Sequence, residues 1–196
     1  MRTEIIKFAA INNLDMKITN KIIVVDLEAT CWEDDGDYQR NHSEIIEIGI
    51  CVLDQSTGEI TQNKGILVKP EQSEISPFCE QLTTISQEMI DAEGVYLDEA
   101  VNELFQDYGS HLYTWASYGA YDKNMFRRQC KIKNIDYPFS DKHINVKELF
   151  REAREIRRSV GMKKALRMLN MNLDGTHHRG VDDAFNTAKI LRWSLQ

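Results

Sequence analysis

Residues 21–30 read KIIVVDLEAT. Ile22, Ile23, Val24 and Val25 form an unbroken β-branched run, the pattern of a short strand buried on both faces. Two carboxylates, Asp26 and Glu28, follow at its C-terminal end. Alternate residues of a strand point to the same side, so both acids face one way. Two like charges brought together at the end of a core strand are costly unless a cation compensates them. A divalent ion is the simplest compensation, and hard oxygen ligands on a rigid strand suit Mg2+ or Mn2+. A D-x-E pair alone also fits a strand that runs into a polar loop, so the partners must come from elsewhere in the chain.

Outward from this strand, residues 33–43 (EDDGDYQRNHS) read as a polar loop with four acids. Residues 44–53 (EIIEIGICVL) read as a second strand, 54–58 as a turn and 59–69 as a third strand ended by Pro70. The short turn makes these two an antiparallel hairpin. Short helical pieces follow over 76–91, one capped by Ser86. Residues 97–108 carry apolar side chains at 97, 101, 104, 105 and 108, an amphipathic helix. A fourth strand is expected over 111–117 and a helix over 121–133 with Arg127, Arg128 and Lys131 exposed. A short fifth strand over 142–146, helices over 147–158 and 161–169, and a last helix over 181–194 complete the order. A hairpin followed by strands alternating with helices predicts an α/β fold, a five-stranded mixed sheet covered by helices on both faces. One domain is expected over 21–195, preceded by a poorly determined lead-in over 1–20.

The 196 residues carry a net charge of −7, which argues against a protein that coats nucleic acid indiscriminately. The charge is uneven. Residues 120–170 hold 14 Lys and Arg against 6 Asp and Glu, leaving 10 basic against 25 acidic residues elsewhere. A basic segment beside an acidic pole suits a metal site next to a polyanion track, and equally a set of solvated helix faces. The four cysteines are scattered without a C-x-x-C pair, which fits reduced thiols in a cytoplasm. No apolar run approaches the ~20 residues of a membrane span, and residues 1–17 do not read as a signal peptide.

Two later stretches offer partners for the first two acids. In SYGAYDKNMF (117–126), Asp122 follows a strand directly and opens a helix, where α/β sheets place their sites. In THHRGVDDAFNTAKIL (176–191), two histidines precede two aspartates that open the last helix. Asp183 shares a helical side with Thr187, Ile190 and Leu191 and so can face the core, with Asp182 nearer solvent. His177 with Asp182 and His178 with Asp183 have the same spacing.

Taken together, DLEATC (26–31), EIIEIG (44–49), FCEQLTTIS (78–86), GAYD (119–122) and HRGVDDAFNTAKI (178–190) resemble the DEDDh 3′→5′ exonucleases, most closely their Eri-type RNA exonuclease subgroup. The resemblance covers about 21–194 and implies an RNase H-like, three-layer fold. It implies two divalent ions, Mg2+ or Mn2+, with Asp26, Glu28 and Asp183 at one, Asp26 bridging to the other, and Asp122 at or near the second. The family places an alanine after the ligand aspartate, which Ala184 matches, so His178 and not His177 is the expected general base. Histidine, with an unperturbed pKa of ~6.5, suits removal of a proton from water near neutral pH.

The implied activity is stepwise release of nucleoside 5′-monophosphates from the 3′ end of a single strand, RNA before DNA. The resemblance further suggests that Ala29 and Thr30 offer backbone contacts to the terminal nucleotide and that Leu82, Thr83 and Ile85 line its pocket. Trp32 either stacks on a base or covers a loop. Arg154, Arg157, Arg158, Lys163 and Lys164 form a candidate phosphate track, with Arg157 and Lys163 the leading residues. Two departures stand out: Thr84 where many relatives have Gly, and Tyr118 where many have Asn. A binding module without catalysis and an oligoribonuclease limited to very short substrates are the competing readings.

Overall fold

The computed structural model describes residues 20–34 and 36–196. The lead-in expected over 1–20 lies, except for Asn20, outside the described residues. Five strands form one sheet in the order β3-β2-β1-β4-β5. β1 (Lys21–Ala29) is central, antiparallel to β2 (Ile45–Asp54) and parallel to β4 (Thr114–Ser117). β3 (Ile60–Leu67) completes the hairpin and β5 (His143–Asn145) lies parallel to β4. This is the mixed sheet expected from the order of hairpin and crossovers.

The helices are α1 (Asp37–His42), α2 (Pro77–Thr83), α3 (Gln87–Glu93), α4 (Leu97–Tyr108), α5 (Tyr121–Lys133), α6 (Val146–Ala153), α7 (Met162–Met168) and α8 (Gly180–Ser194). Alternation along β1 divides the core. Ile23, Val25 and Leu27 pack with Leu97, Val101 and Leu104 of α4 and with Met125 and Phe126 of α5. Ile22 and Val24 pack on the opposite face with Phe150 of α6, Leu166 of α7 and Ala184, Ala188 and Leu191 of α8. The outcome is helix, sheet, helix, with β1 buried on both faces as its unbroken apolar run requires. A smaller cluster of Ile46, Leu67, Cys79, Ile85 and Ile90 seats α2 and α3 over one end of the hairpin. Ser76 and Ser86 cap these short helices by accepting from the amides of Cys79 and Met89 at 3.0 and 3.2 Å.

Four local expectations are corrected. Part of the polar segment 33–43 is helical: α1 forms, held by Ser43 donating to Gln39 O and by a stack of Tyr38 on His42. The fourth strand starts at Thr114, not 111, because only its last residues have neighbouring strands on both sides. α6 stops at Ala153 rather than 158, after which Glu155 takes a positive φ of 54° and the chain turns away from the helix axis. Arg128 is half-buried rather than exposed, since its guanidinium reaches across to the carbonyls of Asn41 and Ser43 and so ties α5 to α1.

Candidate active site

The β1–β2 register sets Asp26 opposite Gly49 and Glu28 opposite Glu47, all on the sheet face covered by α8. A Cβ on Gly49 would fall 1.8 Å from the Gly180 carbonyl oxygen, and one on Gly180 would lie 2.9 Å from Gly49 N. Bare backbone on both sides is therefore what lets the first turn of α8 lie directly on β2. That close approach delivers Asp183 to the strand acids, and carboxylate oxygens of Asp26, Glu28 and Asp183 lie within 4.8 Å of one another. Asp122 arrives from the other edge. β1 runs past the last β4 pair, Val24 with Ala116, and beyond it the Leu27 amide donates to Asp122 Oδ1 at 3.0 Å.

Gathering these acids has the electrostatic cost anticipated from Asp26 and Glu28 alone. Burial, then the charges of Asp122, Glu28, Asp183 and Glu47, hold the Asp26 carboxyl well above the usual carboxylate range. Burial, followed by Asp183 and Glu47, pushes Glu28 up to about 9. Burial raises Asp122 and Asp183 to about 6, partly opposed by amide hydrogen bonds to each. Asp183 Oδ1 is buried and has no hydrogen-bond partner among the described residues. An all-carboxylate donor set, a shortage of positive charge and an orphaned buried oxygen fit a hard divalent cation.

The loop before α8 is tightly organised. Asp183 Oδ2 accepts the His178 amide at 3.0 Å and pairs with His177 Nδ1 at 2.8 Å. The imidazole bonded to Asp183 is thus that of His177, while the His178 ring stacks on it with centroids 3.9 Å apart. His178 has a positive φ of 65°. Burial lowers both imidazoles below the usual histidine value, with Lys163 adding to the effect on each. Asp182 turns away and accepts the Thr176 amide at 2.7 Å, as its place nearer solvent requires.

A second tie was not anticipated from the sequence. Glu47 is fully buried and accepts from Arg179 Nε and Nη2 at 3.2 and 3.1 Å and from the Gly180 amide at 2.7 Å. This ion pair locks the α8 N-terminus to β2. A charged residue inside the otherwise apolar EIIEIG run was the available signal, because a buried glutamate needs a donor.

A family model described as "Exonuclease" (RNase_T) matches residues 23–191. The chain belongs to the DEDDh exonuclease family. It is 31% identical over 184 residues to human 3′-5′ exoribonuclease 1, covering 89% of this chain and 52% of the relative. It is 28% identical to the probable 3′-5′ exonuclease KapD of Bacillus subtilis, covering 89% of this chain and 84% of that one. The nuclease domain of 3′hExo, a DEDDh member solved with rAMP, superimposes with a TM-score of 0.81 at 29% identity, covering 91% of this chain and 92% of that one. The DEDDh exonuclease chain described here spans about half the length of the first curated relatives it matches. Its sheet and helices are those of the RNase H-like fold, and the family is metal-dependent.

The residues expected around the terminal nucleotide of this exonuclease fold sort by exposure. Ala29 is buried, and Thr30 is fully buried with its amide on Glu44 O at 2.8 Å and its hydroxyl against Ser73 Oγ and the Glu44 amide. The polar N–H and O–H groups of Thr30 are thus committed inside the protein. Thr83 and Ile85 are also fully buried, whereas Leu82 presents surface. Trp32 packs edge-on against Tyr38, centroids 5.0 Å apart, and so covers the α1 turn. Of the basic track, Arg154, Arg157, Arg158, Lys163 and Lys164 are exposed. Lys163 acts electrostatically on His177, His178 and Asp183. Arg154 instead lies over Trp193 at 5.9 Å, ten residues along α8 from Asp183 and hence about 15 Å away along the axis. Among the described residues, no helix is long and apolar enough to cross a membrane.

Proposed function

We propose that this DEDDh family member is a 3′→5′ exonuclease that removes nucleoside 5′-monophosphates from the 3′ end of single-stranded nucleic acid, RNA in preference to DNA. The observation that carries the reading is the convergence of Asp26, Glu28 and Asp183 within 4.8 Å, with an unpartnered Asp183 oxygen between strand and helix. The RNA preference rests on the exoribonuclease relatives and on a structural neighbour described as recognising the 3′ end of a histone mRNA stem-loop.

In this reading Asp26, Glu28 and Asp183 would hold one Mg2+ or Mn2+ ion, and Asp26 with Asp122 would serve a second; bound there, the ions would supply charge neutralisation at the scissile phosphate and polarise water. His178 is the general base. Its ring nitrogens make no hydrogen bond among the described residues, so one of them is free to take the proton of the attacking water. His177 orients Asp183 through its Nδ1 contact. Lys163, at the mouth of the site, receives a backbone phosphate, and Arg157 continues the track upstream. Leu82 supplies an apolar surface to the terminal nucleotide, while Thr83, Ile85 and the Ala29–Thr30 segment, all buried, form the floor of the fold around the site. A cytoplasmic location completes the reading, resting on four scattered cysteines without a C-x-x-C pair.

A 5′-labelled 20-mer of RNA, and the same sequence as DNA, incubated with Mg2+ tests this directly. A ladder shortening from the 3′ end, faster on RNA and abolished by EDTA, is expected. Intact but retained substrate identifies a binding module instead. Cleavage of dinucleotides with sparing of the 20-mer identifies an oligoribonuclease-type enzyme. Loss of turnover in His177→Ala but not in His178→Ala moves the base to His177.

A further inference from the structure

We propose that His177, His178 and Asp183 form a binding site for Zn2+ that shares only Asp183 with the all-carboxylate set, and that its occupation switches the enzyme off. It rests on the exonuclease reading only for that inhibitory consequence.

The backbone supplies the first argument. Consecutive side chains in extended chain diverge, yet the two imidazoles here are held together, centroids 3.9 Å apart at a 28° tilt, and an ion shared by their in-plane nitrogens would swing one ring out of this stack. The positive φ of 65° at His178 turns the second ring onto the first. A non-glycine residue in the left-handed region costs on the order of 1–2 kcal/mol, and such strain persists only where the surroundings over-determine it. Here the surroundings are the Glu47–Arg179 pair immediately after His178 and the amide of His178 itself, held on Asp183 Oδ2 at 3.0 Å.

The donor set supplies the second. A nitrogen from each ring and an oxygen of Asp183 lie within 4.8 Å of one another. Two imidazoles and a carboxylate suit Zn2+, which takes three protein donors and leaves a fourth position open. Mg2+ keeps oxygen ligands and water and has little use for imidazole. The Asp183 side chain is buried, with Oδ1 unpartnered, while His177 keeps 23% of its side chain exposed, giving an ion a route from solvent. Asp183 is therefore shared between two metal chemistries. With Zn2+ on the histidines, Asp183 is drawn from the acid set and the His178 nitrogen needed for proton removal is occupied.

The full chain carrying Asp26→Asn tests the site, since it keeps the histidines and weakens the acid set. Equilibrium dialysis should find one Zn2+ per chain, and Co2+ in its place should give the visible absorption of a four-coordinate site. Adding His177→Asn should weaken Zn2+ by more than the roughly 10–100-fold that loss of an outer-shell partner costs. His177→Gln serves if that variant does not fold by circular dichroism. In wild-type protein with Mg2+, the inhibitory Zn2+ concentration should rise by a similar factor on His177→Asn, each variant referred to its own uninhibited rate. No Zn2+ on Asp26→Asn, or an affinity indifferent to His177, overturns the proposal. Zn2+ binding that depends on His177 in a chain without nuclease activity supports this site while refuting the exonuclease reading.

Discussion

Thr84 holds a β-branched side chain at φ 61°, in the left-handed region, where it ends α2 as the C-cap. Glycine takes this conformation without a steric cost. Thr84→Gly should therefore stabilise the protein by about 0.5–1 kcal/mol, since most of the relief survives the added freedom of the unfolded chain. A rise in the urea midpoint at constant slope measures it, and no change shows that the neighbouring Thr83 contacts, not φ, set the turn. Asp26 poses the opposite case. Burial, and then the charges of Asp122, Glu28 and Asp183 around it, raise its pKa. Asp26→Asn should abolish turnover with Mg2+ yet leave the metal-free melting temperature unchanged or slightly higher. An active Asp26→Asn protein removes that residue from the chemistry.

At the scale of elements, the site is a contact between β1, β2 and the first turn of α8. Gly49 and Gly180 allow the approach, and the Glu47–Arg179 ion pair holds it. Removing one partner of a buried pair leaves the other charge without compensation and costs roughly 3–5 kcal/mol. Arg179→Met should lose stability of that order, and activity with it, because Arg179 immediately follows His178 and opens α8. The double change Arg179→Met with Glu47→Gln should regain much of the stability, as a double-mutant cycle by denaturation will read. Additive losses would show that the two side chains act separately. The pair also marks where reading by pattern failed. In EIIEIG the strand was plain from its apolar residues, but the partner of Glu47 lies 132 positions away, and strand periodicity carries no information about it.

For the whole molecule, the gathered carboxylates couple stability to pH and metal. Their folded pKa values lie above the unfolded ones, about 9 for Glu28 and about 6 for Asp122 and Asp183. Their contribution is complete below the unfolded carboxylate values near pH 4 and is lost as pH rises, through about 6 for the two aspartates and about 9 for Glu28. The melting temperature in EDTA should fall from pH 5 to pH 9 relative to a Glu28→Gln variant. Mg2+ or Mn2+ should stabilise the wild type more at pH 8 than at pH 5, because ions and protons compete for the same oxygens. A Mg2+ effect independent of pH would mean that the ion binds elsewhere.

The sheet and the helices on both faces were legible because each rests on a local regularity, whereas the four acids stood out only through the resemblance of their motifs taken together. The apolar run 22–25 reads as a buried strand, spacing of two puts Asp26 and Glu28 on one side, and spacing along a helix turns Asp183 inward. Helix α1 was not legible, since its polar residues carry no apolar stripe and its stability comes from packing such as Tyr38 on His42 and from Arg128 of a distant helix. The sequence by itself determined which groups are available: four carboxylates, two histidines and a basic segment. Only the tertiary structure decided their pairing. It put the His177 imidazole rather than that of His178 on Asp183, gave Glu47 its arginine, and buried Thr83 and Ile85 while leaving Leu82 exposed. The physical reason is that hydrogen bonds and burial depend on distances across the fold, which periodicity along the chain does not encode.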